Sequence, residues 1–99
     1  EAALVGDVNA ALPVRFMRMG PGQLGIYEDE LGRVTVSSEI DDVHALAIII
    51  AHEVGHAFGL WHVEKDARAS VMNPANDDVA PNAKDAEDMW ALWGRCGAQ

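Results

Sequence analysis

Three histidines and one glutamate fall within residues 52–62 of this chain, in the order H-E-x-x-H-x-x-G-x-x-H. In an α-helix, His52 and His56 share one face, so their imidazoles can hold one cation between them. Glu53 lies beside them, where its carboxylate can accept a proton from a metal-bound water without occupying a ligand position. The spacing therefore predicts a metal site with a general base next to it.

The third histidine needs a change in chain direction, because a continuing helix would carry His62 away from the first two. Gly59 allows that change, since glycine adopts positive φ, ends helices and turns the chain. Three imidazoles around a tetrahedral ion leave one position for water, which is typical of catalytic rather than structural zinc sites. Zinc lowers the pKa of that water towards neutrality, so the pattern favours hydrolysis.

A second motif, Ser70-Val71-Met72-Asn73-Pro74, follows the histidines. Together the two motifs resemble the metzincin metallopeptidases, whose extended zinc motif precedes a turn that contains a methionine. The resemblance implies that Met72 lies beneath the histidines as an apolar floor, although a methionine in a turn is also a common core residue. The order Met-Asn-Pro is similar to the Met-Tyr-Pro of the matrixins, and Pro74 is taken with Gly59 and Met72 as structural support of the site.

The C-terminal segment is also similar to the matrixins. Asn82-Ala-Lys-Asp85 has the form of a capping box, and the chain then runs to an Ala-Leu-Trp-Gly ending like the family's Leu-Tyr-Gly. Asp85 falls on the family aspartate that hydrogen-bonds the backbone of the methionine turn, and the alternative is that it only caps its own helix. The apolar face expected for this helix consists of Ala86, Met89, Trp90 and Trp93.

Three short strands are predicted before the histidines. They are Val14 to Met19, Gln23 to Glu28 and Arg33 to Ile40, separated by turns at Gly20-Pro21-Gly22 and at Asp29 to Gly32. In metzincins an edge strand above the cleft pairs with the extended substrate, and we assign the second strand to this role. An amphipathic helix over residues 1–12, ended by Pro13, is expected to precede the sheet.

The histidine-bearing helix is predicted to span Val43 to Leu60, with Asp41 or Asp42 as its N-cap. Its isoleucines favour burial on nearly all sides. The expected fold class is α+β, a small twisted β-sheet packed on the zinc-binding helix and followed by the methionine turn and a C-terminal helix, as in metzincins. We expect one catalytic domain over residues 1–99, with residues 1–60 as the upper subdomain and residues 61–99 as the lower one.

Composition narrows the classes of partner. The 99 residues include 16 acidic and 7 basic ones, for a formal net charge of −9, which disfavours nucleic acid and anionic membrane surfaces. No apolar run is long enough for membrane insertion, and we expect a monomer. The lone Cys96 permits no internal disulfide, and no signal segment precedes Glu1, yet we favour a processed, secreted domain. Residues 94–97 resemble the matrixin cysteine switch but follow the domain, so a free terminal cysteine is the preferred reading.

The function that the resemblance implies is a zinc-dependent endopeptidase acting on peptides or proteins, with one catalytic Zn²⁺ and Glu53 as general base. The outer wall of the substrate pocket is expected to consist of Asn73, Ala75 and Asn76. The pocket is expected to bind an apolar side chain of the substrate just after the scissile bond. An alternative is a zinc-binding scaffold or protein-binding module of the same fold without turnover. A truncated or engineered family fragment and a Ca²⁺ site among the carboxylates are also left open.

Overall fold

The computed structural model describes residues 12–94, which form three strands and two helices. The strands are β1 (Val14–Met17), β2 (Gly25–Glu28) and β3 (Arg33–Ser37), and the helices are α1 (Val43–Ala57) and α2 (Ala83–Trp93). The α+β class expected from the sequence is confirmed. The helix predicted over residues 1–12 and the segment around Cys96 lie outside the described residues, apart from Leu12.

The sheet has the strand order β1-β3-β2, with β1 parallel and β2 antiparallel to β3. All three strands were placed correctly by the sequence pattern but are shorter than predicted. Within the described residues β2 is an edge strand, as its proposed role requires. Because the Ser37 N–H donates to the Leu24 carbonyl at 2.9 Å, antiparallel alternation turns the peptide groups of Gly25 and Tyr27 towards the free edge.

The core lies between β3 and α1. Val34 and Val36 are fully buried on one face of β3 and pack against Ile49 of α1. Their alternation with Thr35 and Ser37 is the period-2 pattern of a strand, and both of these polar residues are also buried on the opposite face. Burial of the valines against Ile49 therefore holds the central strand, and with it the sheet, on the histidine-bearing helix.

Helix α1 is buried on one face, whereas the sequence predicted burial on nearly all sides. Its buried residues are Ile49, His52, Glu53 and Gly55, while Val43 is 74% exposed. Three short strands cover only one side of a helix of this length, so the remaining isoleucines are partly exposed. Asp42 is the N-cap, and its carboxylate accepts from the N–H groups of the first turn. No helix within residues 12–94 is both long and apolar enough to cross a membrane.

An ion pair between β2 and β3 is expected to make the stability of the sheet depend on pH in acid. Arg33 Nε donates to Glu28 at 2.8 Å and the Thr35 hydroxyl donates to it at 2.7 Å, and these bonds lower the Glu28 pKa from 4.5 to about 2. A carboxyl with a depressed folded-state pKa stabilises the fold above its unfolded pKa, and this contribution is lost as pH falls from 4.5 towards 2. We expect Glu28→Gln to flatten this part of the stability profile, measured by urea unfolding across that range.

The matched control is Glu30→Gln, which removes a carboxylate from the adjacent turn. Glu30 is exposed and forms no ion pair within the described residues. Equal flattening in both variants would show that net charge, and not the bonds to Arg33 and Thr35, sets the acid sensitivity.

Candidate metal centre

Three histidines converge at the C-terminal end of α1. The ring centroid of His56 lies 4.8 Å from those of His52 and His62, and the latter two are 5.3 Å apart. One ring nitrogen from each residue lies within 4.8 Å of the others, so one ion can be bound by all three. His52 is buried and His62 is exposed, which leaves the site accessible from the side of His62.

Backbone carbonyls fix the tautomers of the first two histidines. His52 Nδ1 donates to the Val71 carbonyl at 2.7 Å, and His56 Nδ1 donates to the Leu60 carbonyl at 2.9 Å, because a carbonyl oxygen can only accept. Burial lowers the pKa of the His52 imidazole and so favours its neutral form. The Nε2 atoms of His52 and His56 are then lone-pair donors directed at the same region.

The separation of these two nitrogens fits a metal ion. The Nε2 atoms of His52 and His56 are 3.2 Å apart, a separation at which either a shared proton or a bound metal ion has to lie between their lone pairs. Two ligand nitrogens on a tetrahedral zinc with bonds of about 2.0–2.1 Å are about 3.3 Å apart. The spacing of the Nε2 atoms and the carbonyl partners of the Nδ1 atoms together suit a zinc site.

The end of α1 directs the chain towards the third histidine. The Leu60 N–H donates to the Gly55 carbonyl at 2.9 Å and the Gly59 N–H donates to the His56 carbonyl at 3.0 Å, which is the Schellman pattern of a helix C-terminus. Gly59 has a φ of 97°, a backbone conformation that residues other than glycine rarely adopt. The positive φ that the sequence predicted at Gly59 is present, and the reversal brings His62 back to the other two rings.

Glu53 lies on the same helix under the edge strand. It is 7% exposed, and burial raises the pKa of its carboxyl, although the nearby His56 and a hydrogen bond from the Tyr27 N–H act in the opposite direction. Gly25 keeps this region close-packed, since a Cβ there would lie 3.1 Å from Ile49 and 3.4 Å from Glu53. The carboxylate is thus held between β2 and the histidines.

The turn at residues 70–74 packs its methionine against α1. Met72 is 2% exposed, and a Cβ on Gly55 would lie 2.5 Å from the Met72 sulfur. The sequence reading singled out Met72 but missed Gly55. An isolated glycine inside a helix costs about 1 kcal/mol relative to alanine, so its presence was the available sign of close packing.

We expect Gly55→Ala to destabilise the fold by about 1–2 kcal/mol, because forced overpacking exceeds the gain in helix propensity. The measurement is urea unfolding of the variant and of the parent chain. In a Met72→Ala background the clash is removed, so the same substitution is expected to be neutral or stabilising there. An equal cost in both backgrounds would contradict packing against Met72 as the cause.

Two buried asparagines hold the turn together. The Asn73 amide donates to the Val63 and Arg68 carbonyls at 2.7 and 3.0 Å, and its oxygen accepts from the Ser70 N–H at 3.0 Å. The Asn76 amide donates to the Val71 and Val79 carbonyls and its oxygen accepts from the N–H groups of residues 78 and 79. Both side chains therefore satisfy backbone groups of the turn, a role that sequence reasoning missed.

Asp85 connects α2 to this turn. Its Oδ1 accepts from the Ser70 hydroxyl, and its Oδ2 accepts from the N–H groups of Val71 and Asn82 at 2.9 and 3.1 Å. Asn82 in turn accepts from the Asp85 N–H, which completes a capping box. The two readings of Asp85 that the sequence left open are therefore both realised, since one carboxylate caps α2 and binds the turn.

An open cleft of about 980 Å³ lies over the histidines, bounded on one side by β2. Ala75 and Asn76 line it, as expected of a substrate wall, and Ala75 has φ of 52°. Asn73 is 3% exposed and does not line the cleft, and Pro74 is half-buried in the turn. The predicted metal ligands, Glu53 and part of the predicted wall are thus brought together around one opening.

A family model described as Matrixin, of the peptidase class, matches residues 11–94 of the chain. This match covers the sheet, α1, the histidines, the turn and α2. No curated protein and no solved structure matches the chain.

Proposed function

The chain belongs to the matrixin family of metallopeptidases, and on that premise we propose that it is a zinc-dependent endopeptidase with Glu53 as its general base. The proposal rests on one observation. The imidazoles of His52, His56 and His62 lie close enough together to bind one metal ion, and the buried carboxylate of Glu53 directly follows His52 in the sequence. An open cleft beside an edge strand gives a polypeptide access to this point.

We assign zinc binding to His52, His56 and His62, through the Nε2 atoms of the first two. Zinc bound there supplies a Lewis acid that polarises a carbonyl and lowers the pKa of a water molecule. The Val71 and Leu60 carbonyls keep two of the rings oriented for this role.

The remaining steps are assigned to the chain's own groups. An extended substrate pairs with the free edge of β2, where the N–H and carbonyl of Gly25 and the carbonyl of Tyr27 face away from β3, while the Tyr27 N–H donates to Glu53. Glu53 takes a proton from the attacking water and delivers it to the nitrogen of the leaving amine, so the carboxylate is regenerated. Burial of Glu53 against β2 holds it where both transfers take place.

The structural support of the site is assigned to Gly59, Met72, Pro74 and Asp85. Gly59 reverses the chain, Met72 fills the space beside Gly55, and Asp85 holds the turn that carries the Val71 carbonyl. We assign Ala75 and Asn76 to the pocket wall, with an apolar side chain preferred after the scissile bond. We also retain the division into an upper subdomain over 1–60 and a lower one over 61–99.

Matrixins are typically secreted, and we propose the same location for this chain, as a monomer that acts on extracellular peptides or proteins. A zinc-binding scaffold without turnover is the alternative function. Both functions require bound zinc, and only the peptidase hydrolyses peptide bonds. The deciding experiment therefore measures zinc content and peptide cleavage on the same samples.

The test is cleavage of casein by protein loaded with one zinc per chain, followed by gel electrophoresis and metal analysis. We expect fragments from the loaded protein, none after removal of zinc with a chelator, and recovery when zinc is returned. Protein that holds one zinc per chain but leaves casein intact would overturn the peptidase function and support the scaffold.

A further inference from the structure

The cleft over the histidines carries negative side chains that the catalytic proposal does not use. Asp29 and Glu64 line it in addition to Glu53, and no lysine or arginine within residues 12–94 does so. Asp29 follows the end of β2, and Glu64 comes two residues after His62. The described walls of the cleft therefore attract cations and repel anions.

Lys65 directly follows Glu64 but does not line the cleft and forms no ion pair within residues 12–94. The other basic side chains of the described part form ion pairs away from the cleft. Their ion pairs are Arg15 and Arg33 with Glu28, Arg18 with Glu39, Arg68 with Asp85 and Asp88, and Lys84 with Glu87 and Asp88. Neither Asp29 nor Glu64 pairs with a lysine or arginine within residues 12–94. The negative charge in the cleft is thus left for a bound molecule to neutralise.

An exposed aromatic side chain lies in the same wall. Trp61 lines the cleft, is 86% exposed and directly precedes His62. A large exposed indole in a binding cleft offers a flat apolar face, and tryptophan attracts cations more strongly than the other aromatic side chains. In the sequence, Trp61 directly precedes the assigned metal ligand His62, and Glu64 follows it by two residues. An aromatic side chain and a carboxylate without a lysine or arginine partner among the described residues therefore flank this ligand in the sequence.

We propose, on the basis of the peptidase function above, that the cleft selects peptides with a lysine or arginine near the scissile bond. Trp61 and Glu64 are the specificity-determining residues: the indole packs on the cation's stem and head, and the carboxylate pairs with its charge. Asp29 attracts a second basic residue at the far end of β2. The formal net charge of −9 adds long-range attraction for such substrates.

The first test compares peptides based on a casein sequence that the protein cuts, with each flanking position occupied in turn by Lys, Gln or Glu. At one position or more, we expect kcat/KM for the Lys peptide to exceed that for the Glu peptide about tenfold. This ratio is expected to fall towards one in Glu64→Gln and severalfold in Trp61→Ala. The preference is also expected to weaken as salt is raised to about 0.5 M.

The matched controls remove the same charge outside the cleft. The controls are Asp66→Asn and Glu30→Gln. Asp66 lies in the loop after Glu64 and Glu30 follows Asp29, but neither residue lines the cleft. Both are expected to keep the ratio of the parent chain. A ratio that falls equally in the controls would attribute the preference to net charge and overturn the assignment to Trp61 and Glu64.

A binding measurement separates this inference from the catalytic proposal. Fluorescently labelled peptides of one fixed casein sequence, chosen without regard to cleavage and carrying Lys, Gln or Glu at each central position in turn, are titrated with zinc-loaded Glu53→Ala protein, and their affinities are compared by anisotropy. Tighter binding of the Lys peptide supports the inference even if the parent chain cuts nothing, an outcome that would overturn only the peptidase function. Cleavage or binding of all three peptides equally overturns the selectivity and leaves the peptidase function standing.

Discussion

Replacing Glu53 by alanine is expected to lower kcat for peptide hydrolysis by about 10³-fold while zinc content stays at one per chain. The expected size reflects the contribution of a positioned general base, which is typically 10²- to 10⁴-fold. Metal binding is expected to persist because the three imidazoles and their carbonyl partners do not depend on Glu53. The measurement is steady-state hydrolysis of a quenched fluorescent peptide, with zinc determined on the same samples.

Glu53→Gln is the sharper companion, because it keeps the volume of a side chain that is 7% exposed and removes its basicity. A comparable loss in both variants assigns the effect to proton transfer, whereas a loss confined to alanine would assign it to packing beneath β2. Glu30→Gln, which removes an exposed carboxylate outside the cleft, is expected to retain the parent's rate. A Glu53→Gln protein that keeps a tenth or more of the parent's kcat would contradict the general-base role.

The sequence was most informative where a short segment determines its own geometry. The i,i+4 spacing of His52 and His56 needs only a helix to bring the rings together, and Gly59 needs only its own φ to end that helix. Asn82 and Asp85 likewise form a local capping box. Such features depend on contacts within one or two helical turns, so their residue types alone predict them.

The sheet order was less accessible from sequence. The sequence pattern predicted three strands, but strands of four or five residues do not indicate which other strands they pair with. The parallel pairing of β1 with β3 places β3 at the centre of the sheet and β2 at one edge, and β3 packs on α1 through Ile49, a contact between segments distant in sequence. The placement of β2 beside the cleft was predicted only because the resemblance to metzincins suggested it.

The polar interior of the turn was also inaccessible from sequence. Asn73 and Asn76 were expected to form the substrate wall. Only Asn76 lines the cleft, and the amides of both bond to carbonyls as far as ten residues away. An asparagine in a polar loop does not reveal which backbone groups will lack partners once the loop closes. Gly55 was missed for a related reason, since its neighbour Met72 is distant in sequence.

Asp85→Asn is expected to give the largest loss of stability, about 3 kcal/mol or more in the free energy of unfolding. The carboxylate of Asp85 is 5% exposed, and its two oxygens accept from Ser70, Val71 and Asn82 and pair with Arg68 at 3.0 Å. An amide presents only one acceptor oxygen, so its NH₂ would face hydrogen-bond donors on one side. Urea unfolding of the zinc-free protein measures the loss.

Asp88→Asn is the matched control for this substitution. It removes the other carboxylate that pairs with Arg68, but the Asp88 side chain is 37% exposed, and partly exposed pairs of this kind contribute about 1 kcal/mol or less. A cost of Asp85→Asn no greater than that of Asp88→Asn would show that the bonds to Ser70, Val71 and Asn82 contribute little.

The pH dependence of the same variant tests the origin of the effect. Burial raises the pKa of Asp85, but the bonds from Ser70, Val71, Asn82 and Arg68 outweigh it and hold the pKa below its ordinary value of 3.8. The stability that the Asp85 carboxylate contributes is present at pH values above its pKa in the unfolded chain. It is lost as the pH falls through the lower pKa of Asp85 in the folded protein. The gap between the parent and Asp85→Asn is therefore expected to narrow in acid, and a gap that stays constant would contradict an ionic origin.

The effect of Asp85→Asn is expected to extend to the metal centre through the chain of bonds from Asp85 to His52. Asp85 accepts from the Val71 N–H, and the Val71 carbonyl accepts from His52 Nδ1 at 2.7 Å. Loss of such supporting bonds weakens metal affinity by about 10- to 100-fold. Competition with a zinc chelator is expected to show this fall in zinc affinity in Asp85→Asn and not in Asp88→Asn. Unchanged zinc affinity in both variants would show that the bonds from α2 do not influence the metal centre.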